Sequence, residues 1–260
     1  MPYPYYLKMI VSGKQVEVFN YQQPVWRDFE RNNGDKKKDF NKEPKQMDLI
    51  EQIEYEIKKM EFSVNRTKTQ IKRMVNSNPQ LNKFMTLTFA DNMADVKQAN
   101  YLFNQFIKRI TYRYPDFEYL AVPEFQKRGS IHYHLLCNLP YIEMDGLQYI
   151  WSHGVVNIRK ISEVNNLGAY MSKYLSKELF DGKMFNKKKF FRSQTLRQSI
   201  ELLGWYAMLF ADKFLSLIKP VFEKVFVSEW TGEVEYKAYN LGFVAFSEGV
   251  FKRSVLMNSE

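Results

Sequence analysis

Ser130-Ile131-His132-Tyr133-His134-Leu135-Leu136 predicts a strand at the centre of the fold, because the run alternates and is rich in strand-forming residues. Residues i and i+2 of a strand share one face, about 7 Å apart at Cα, so His132 and His134 point the same way. The opposite face then receives the intervening residues, Ile131, Tyr133 and Leu135. Two imidazoles on one face can reach one divalent cation, although an isolated His-x-His is more often a surface or core feature.

A doubled Tyr-x-x-Lys motif lies downstream, in Tyr170-Met171-Ser172-Lys173-Tyr174-Leu175-Ser176-Lys177. At about 100° per residue, one stripe of a helix receives both tyrosines and both lysines: Tyr170, Lys173, Tyr174 and Lys177. Met171 lies to one side, where it can anchor the helix on a core. A nearby cation stabilises a phenolate and also neutralises a phosphate, so the stripe suits attack on a phosphodiester. The same pattern also describes an amphipathic helix with snorkelling lysines.

A third run, Phe84-Met85-Thr86-Leu87-Thr88-Phe89-Ala90-Asp91, precedes both motifs and predicts another strand. The order of Thr-Leu-Thr-Phe strand, His-x-His strand and Tyr-x-x-Lys helix resembles the three-motif pattern of the HUH endonucleases. More narrowly, it is similar to the rolling-circle replication initiators of single-stranded DNA phages and related plasmids. The stretches 124–129, 151–155 and 190–193 add to the resemblance, which covers roughly residues 60–197.

The resemblance implies metal-dependent transesterification at one phosphodiester of single-stranded origin DNA. Tyr170 or Tyr174 would attack phosphorus and remain attached as a 5′-phosphotyrosine, while the released 3′-hydroxyl primes synthesis. Lys173 is placed to assist Tyr170, and Lys177 to assist Tyr174. Since each tyrosine has its own lysine three residues on, the sequence leaves open which one attacks first.

The predicted metal site needs a third ligand, because two imidazoles hold Mg²⁺ or Mn²⁺ poorly and carboxylates are the harder donors. We expect Glu124 in this role. It lies near the end of a predicted strand, 118–125, which pairs with residues 131–139 through a turn at 127–129. That pairing places the Glu124 carboxylate beside the histidines.

Other carboxylates and the third histidine are weaker candidates. Glu118 and Glu143 lie nearer the far ends of the predicted strands, and Asp91 is an outside candidate for holding DNA or metal. The resemblance gives His153 a structural or supporting role. A two-His, one-carboxylate set also describes non-haem iron oxygenases of the cupin-like kind, in which His153 or Glu143 would complete the site.

Two basic stretches and one turn predict contacts with DNA. The second half of a long predicted helix at 47–76 has a basic side, and its apolar residues Val64, Ile71 and Val75 face away. Residues 187–192 place cations beside aromatic rings, which suits a single strand. A solvated helix face and a linker are the alternatives for these stretches. The predicted DNA-contact residues are Arg66, Lys68, Lys72, Arg73, Lys127, Arg128, Lys188 and Arg192.

Composition is consistent with an anionic polymer as partner. The 260-residue chain carries 38 Lys and Arg against 29 Asp and Glu, a net charge of +9. This balance alone also fits a ribosomal or membrane-surface protein. The single cysteine, Cys137, excludes an intrachain disulfide and suits a reducing compartment. Its place after the histidine strand predicts a small buried hydrophobe.

The sequence shows neither a secretory signal nor a membrane span. Its most apolar stretch, 202–222, is interrupted by Asp212, Lys213, Lys219 and Pro220. Together with the resemblance to phage and plasmid initiators, this leads us to expect the protein in the cytoplasm of a bacterial host. A phosphate-binding Gly-x-x-x-x-Gly-Lys-[Ser/Thr] loop is also missing from the sequence, so duplex unwinding would need a separate host helicase.

The predicted architecture is α+β, a central and mainly antiparallel sheet with flanking helices. The histidines would occupy a central strand, and the tyrosine helix would pack across to meet them. We expect three consecutive segments: 1–79 with a hairpin, a charged loop and basic helices, 80–180 with the nicking core, and 181–260 with a basic loop, apolar helices and strands. Besides the oxygenase, the remaining alternatives are an HUH transposase or relaxase and a non-catalytic origin-DNA-binding protein.

Overall fold

The computed structural model describes residues 2–27, 48–126, 129–161, 167–168, 171 and 189–242. In chain order, the strands are β1 (Tyr3–Ser12), β2 (Gln15–Arg27), β3 (Lys83–Phe89), β4 (Tyr119–Phe125), β5 (Ile131–Cys137), β6 (Gly154–Lys160), β7 (Phe191–Arg192), β8 (Ile200–Leu203), β9 (Phe222–Ser228) and β10 (Gly232–Asn240). The helices are α1 (Leu49–Asn76), α2 (Val96–Arg113), α3 (Met144–Trp151) and α4 (Trp205–Phe210), and α4 continues into a π-helical turn at Ala211–Leu215.

These elements form two compact units, each built on a five-stranded antiparallel sheet. In the first unit, which joins residues 2–27 to residues 199–242, the strand order is β8-β1-β2-β10-β9. In the second unit, formed by described residues between 48 and 198, the order is β6-β3-β5-β4-β7. The predicted α+β class is confirmed, and the histidine strand β5 is the middle strand of its sheet.

The first unit is organised by the predicted N-terminal hairpin. β1 and β2 pair around a turn at Gly13, whose φ of 58° lies in the left-handed region that favours glycine. β1 also pairs with β8, and β2 with β10. The sequence-based division assigned this hairpin and those C-terminal strands to different segments. Strand pairing brings them into one sheet, because backbone hydrogen bonds can join strands that are far apart in the sequence.

In the second unit, α2 and α3 cover one face of the sheet. The apolar periodicity of the sequence predicts a helix at about Met93–Tyr112, with Val96, Leu102, Phe106 and Ile110 inward. The helix begins at Val96, where the carboxylate of Asp95 accepts a hydrogen bond of 2.8 Å from the Lys97 backbone nitrogen. Phe106 and Ile110 are buried as predicted. Phe103 is fully buried, whereas Leu102, expected inward, is only partly buried.

The residues that alternate with the histidines along β5 occupy this covered face, as predicted. Ile131, Tyr133 and Leu135 are buried in one cluster with residues of α2 and α3. The Tyr133 ring stacks on Phe103 at 4.2 Å between centroids. Its hydroxyl donates a 2.7 Å hydrogen bond to the Asn100 amide oxygen, and burial raises the pKa of Tyr133 well above its ordinary value. The phenol between the histidines is therefore a core group.

Cys137 at the end of β5 is also a core group, which confirms the sequence prediction. The residue is fully buried in the same cluster. Burial raises the pKa of its thiol to about 11. A buried, protonated thiol is a small hydrophobe and a poor nucleophile.

The C-terminal half of α1 covers part of the opposite face of the sheet. Val64, Ile71 and Val75 are buried there, which confirms the predicted orientation of the basic helix. They share a cluster with Leu120 of β4 and Leu136 of β5. Because Leu136 lies two and four residues beyond the histidines, this is the face that carries them, and we call it the histidine face.

We predict that Gly154 at the start of β6 cannot be replaced without loss of stability. Its φ is 147°, and an added Cβ would lie 2.3 Å from the Thr88 carbonyl oxygen and 2.5 Å from the Ala90 nitrogen. Both neighbours are backbone atoms, so Gly154→Ala should lower the free energy of unfolding by at least about 2 kcal/mol in a denaturant titration.

The matched control is Gly146→Ala, because Gly146 lies in helix α3 and an added Cβ meets only a side-chain atom at 3.7 Å. This variant should be neutral or more stable by up to about 1 kcal/mol. Equal stability of the two variants would contradict the assigned role of Gly154.

Candidate active site

The register of β5 with its two neighbours assembles the candidate site. Glu124 of β4 and Thr88 of β3 lie directly opposite His132 on either side, and Thr86 lies opposite His134. Directly paired residues of adjacent strands share a face, so all five side chains lie on the histidine face. The structure thus places Glu124 beside the histidines, as the predicted hairpin required.

The three expected metal ligands differ in burial. His132 is buried, with 7% of its surface exposed, whereas His134 and Glu124 are partly exposed. The Glu124 carboxylate contacts Nε2 of His134, and the centroids of the two imidazole rings lie 6.4 Å apart. Glu124 therefore contacts His134, which lies diagonally across the β4–β5 pair, and also faces His132, its direct partner.

The orientation of His134 is fixed by two residues of β3 that the sequence interpretation did not single out. Its Nδ1 lies 3.1 Å from the Thr86 hydroxyl oxygen in a hydrogen bond whose donor depends on the histidine tautomer. The Phe84 ring stacks on the imidazole at 5.6 Å with an interplanar angle of 17°. The signal was the alternation of Phe84 and Thr86 in β3, which places both on one face.

The donor types at this site suit a divalent cation, but their arrangement in this structure does not yet form a metal site. One carboxylate and two imidazoles on one face match the ligands of such ions. Within the described ranges, however, no three His, Cys, Asp or Glu side chains form a group that could hold a metal ion. Glu124 and His134 contact each other, so a shared ion would require small rotations of these side chains. Ligation by Glu124, His132 and His134 stays a prediction.

His153 does not join this constellation. Its ring packs edge-on against Trp151, 5.4 Å between centroids, and Trp151 belongs to the cluster on the opposite face of the sheet. Burial, followed by the charge of Arg109, lowers the pKa of His153. These contacts fit the supporting role that the resemblance implied.

The weaker carboxylate candidates are dispersed along the chain. Glu118 accepts a 2.8 Å hydrogen bond from the Gln80 amide nitrogen, just before β4. Glu143 precedes the first turn of α3, and Asp91 is exposed just beyond β3. The completing ligands of the oxygenase alternative, Glu143 and His153, therefore adjoin α3 and Trp151 of the opposite face, away from the histidine pair.

Part of the Tyr-x-x-Lys segment is described, and it lies against the histidine face. Met171 is fully buried in the cluster that contains Leu136, so the predicted anchoring of this residue on a core is confirmed. The Gly168 N–H donates a 3.1 Å hydrogen bond to the Asn76 amide oxygen of α1. The proposed catalytic residues lie outside the described residues: Tyr170, Lys173, Tyr174 and Lys177.

The predicted DNA-contact residues fall into three groups. Four lie on α1, where Arg66 is exposed and the other three are partly exposed: Lys68, Lys72 and Arg73. Arg192 of β7 pairs with Leu120, which places it on the histidine face. Outside the described residues are Lys127, Arg128 and Lys188.

One cation at the edge of this face was missed by the sequence interpretation. Arg159 of β6 pairs with Phe84, and its guanidinium lies over the Phe84 ring at 5.5 Å. Phe84 in turn stacks on His134, so a cation, a phenyl ring and an imidazole form a continuous stack. The alternation of β6 carried the signal, since Val155, Asn157 and Arg159 are all exposed on this side.

Comparison with known proteins adds one finding. Residues 82–179 match the model of a family described as replication-associated protein ORF2/G2P. No curated protein and no solved structure matches the chain. In the part of the chain that the structure describes, no helix has the length and apolar character needed to span a membrane. The matched segment is less than half of the chain but contains all three motifs, and it supports a replication protein of the initiator type.

Proposed function

We propose that this protein is a rolling-circle replication initiator of the HUH type, which nicks and rejoins single-stranded origin DNA through a tyrosine. The observation that carries the proposal is the burial of Met171 against the histidine face. Tyr170 precedes Met171 in the chain and Tyr174 comes three residues later, within the segment that matches the replication-associated family. We therefore propose that the tyrosines act on a phosphodiester bound at the histidines.

In the proposed reaction, the phenolic oxygen of Tyr170 or Tyr174 attacks the phosphorus of one phosphodiester. A bond forms between phosphorus and this oxygen, the bond to the 3′-oxygen breaks, and the phenolic proton is given up as the 3′-oxygen takes up a proton. Lys173 and Lys177 favour the phenolate and offset phosphate charge. The phosphotyrosine retains the energy of the broken bond, so rejoining needs no ATP. The second tyrosine can then attack the regenerated origin.

Glu124, His132 and His134 would hold Mg²⁺ or Mn²⁺, which supplies a Lewis acid that polarises the scissile phosphate. Thr86 and Phe84 support this role by fixing the ring of His134. A ring held on two sides loses less conformational freedom when it takes up a ligand.

The partner in this proposal is single-stranded origin DNA, bound along basic residues beside the site. Arg66 and its neighbours on α1, together with Arg159 and Arg192, supply cations for phosphate contacts. A separate host helicase would open the duplex, and the reaction would take place in the cytoplasm of a bacterial host.

We predict a covalent protein–DNA adduct when the protein is incubated with labelled single strands tiled from its own replicon and Mn²⁺ or Mg²⁺. Denaturing gels should show the adduct, and EDTA should abolish it. Tyr170→Phe or Tyr174→Phe should reduce it, and the double variant should remove it, because phenylalanine lacks the nucleophilic oxygen. Tyr149→Phe is the matched control, since Tyr149 is 83% exposed on α3.

Two results would contradict this prediction. An adduct that persists in the double variant would identify a different nucleophile. An absence of adduct from every tile, with folded and metal-loaded protein, would favour the non-catalytic DNA-binding protein.

We further predict that Gly168→Ala impairs the chemistry through the position of the tyrosine segment. An added Cβ would lie 2.7 Å from the Lys72 carbonyl oxygen and 2.5 Å from the Asn76 amide oxygen, so the segment must move away from α1. Adduct formation should fall by roughly tenfold or more, since small displacements of reacting groups are costly. Binding of the same strand, measured by fluorescence anisotropy, should stay near wild type.

The control for Gly168→Ala is again Gly146→Ala, which should form adduct normally. If Gly168→Ala forms adduct at the wild-type rate, close packing of this segment on α1 is not required for the reaction.

The metal ligands are tested by binding alone. Glu124→Gln should weaken Mn²⁺ affinity by about tenfold or more in titration calorimetry, because an amide is a weaker donor than a carboxylate. Glu143→Gln should leave the affinity unchanged, since Glu143 lies at the start of α3. Unchanged affinity in the Glu124 variant would remove this residue from the ligand set.

A further inference from the structure

A cavity in the unit that contains the histidines lies at the other end of its sheet. It occupies about 650 Å³ where β3 begins and β5 and β6 end, beside the start of α3. This volume falls within the roughly 300–1,000 Å³ typical of ligand pockets. Nothing in the proposed chemistry uses this cavity, so its lining requires a separate explanation.

The charge of the lining is of one sign. Lys83, Arg159 and Lys160 all line the cavity, and none of its described lining residues is acidic. The ammonium group of Lys83 donates to the Leu139 carbonyl oxygen at the end of β5, which holds this cation at the wall. Lys160, its partner across the β3–β6 pair, is exposed. Arg159 contributes to the lining, but its guanidinium lies over Phe84 on the histidine face. Lys83 and Lys160, which pair on the covered face, are the two cations that attract an anion to the cavity.

Apart from Asn82 and Asn138, the rest of the lining is apolar, with one exposed aromatic ring. Leu139 and Leu147 are buried, and Ile142 and Ile158 pack against the same core. Tyr141 lines the cavity although 84% of its surface is exposed. An apolar floor, a cationic wall and an exposed ring match the two parts of a nucleotide, which are a flat base and a phosphate.

The cavity lies within reach of a strand bound at the histidines. Cys137 lies five positions beyond His132 in β5, which is about 17 Å along the strand. Arg159 and Lys160 are neighbours at the end of β6 with side chains on opposite faces, Arg159 over Phe84 beside His134 and Lys160 at the cavity. A single strand of several nucleotides can therefore follow the β6 edge from one region to the other.

We propose that this cavity binds one nucleotide of the DNA strand, several positions away from the scissile phosphate. Tyr141 stacks on the base, Lys160 contacts the phosphate beside it, and Arg159 contacts a phosphate nearer the histidines. The inference rests on the proposed nicking function for the position of the strand. It adds a second point of contact that measures strand length from the nick.

The test is binding of labelled oligonucleotides that share one cleavage site and extend by increasing lengths on either side. Anisotropy is measured with the full chain for wild type, Tyr141→Ala and Lys160→Ala. Both variants should bind short strands normally. Strands that extend past a threshold on one side should bind at least about fivefold more weakly to Tyr141→Ala, the lower end of what one stacked base contributes. Two variants are used so that a folding defect in one does not decide the result.

The matched controls are Tyr149→Ala and Lys108→Ala, which replace an exposed tyrosine and an exposed lysine outside the cavity lining. They should bind every length as wild type does. Losses of equal size at all lengths in the cavity variants would reduce the effect to general electrostatics and overturn the proposal. No loss at any length would also overturn it.

Two further arms separate the sources of a nucleotide and the two proposals. If Tyr141→Ala weakens binding of free dTMP but of no oligonucleotide, the cavity takes free nucleotides and the strand proposal is wrong. Adduct formation is measured on the same strands. A length threshold without any adduct would retain the cavity and reject nicking, whereas an adduct without a threshold would retain nicking and reject the cavity.

Discussion

Antiparallel pairing of β5 with β3 and β4 is the constraint on which the candidate site depends. The side-chain period of a strand is two residues, so this register alone decides which face His132 and His134 occupy. A slip by one residue would place both imidazoles in the core and expose Tyr133. The stacked Tyr133 and Phe103 rings on the covered face make such a slip costly. The apolar cluster on the covered face therefore holds the histidines in position from the opposite side of the sheet.

One face of this sheet packs against helices, and the other carries the candidate site. Helices α2 and α3 cover one face with a continuous apolar cluster. The histidine face is covered at the Leu136 end by α1 and Met171, whereas Glu124 and His134 toward its other end remain partly exposed. Among the described residues, this face is covered at one end only, so a polymer can reach its other end. The same strand alternation that buries Leu136 presents the histidines.

Aromatic and cationic side chains connect the candidate site with the rest of its unit. The stack of Arg159, Phe84 and His134 runs from the β6 edge to the centre of the sheet. Each neighbour restricts the next, so the orientation of the imidazole depends on residues two strands away. Arg159 also lines the cavity at the far end of the sheet. The phenyl ring of this row is buried, whereas Arg159 at its edge is exposed and can contact a phosphate.

Local periodicity was enough to predict the N-terminal hairpin, the alternation of β5, the position of Glu124 beside the histidines and the inward side of Met171. Each depends on neighbours a few residues apart or on one short turn. Local periodicity did not predict that the hairpin shares a sheet with β8 and β10, that Phe103 rather than Leu102 is fully buried, or that Glu124 contacts His134. These outcomes depend on pairing between distant segments and on side-chain rotamers, which packing selects and a local pattern does not encode.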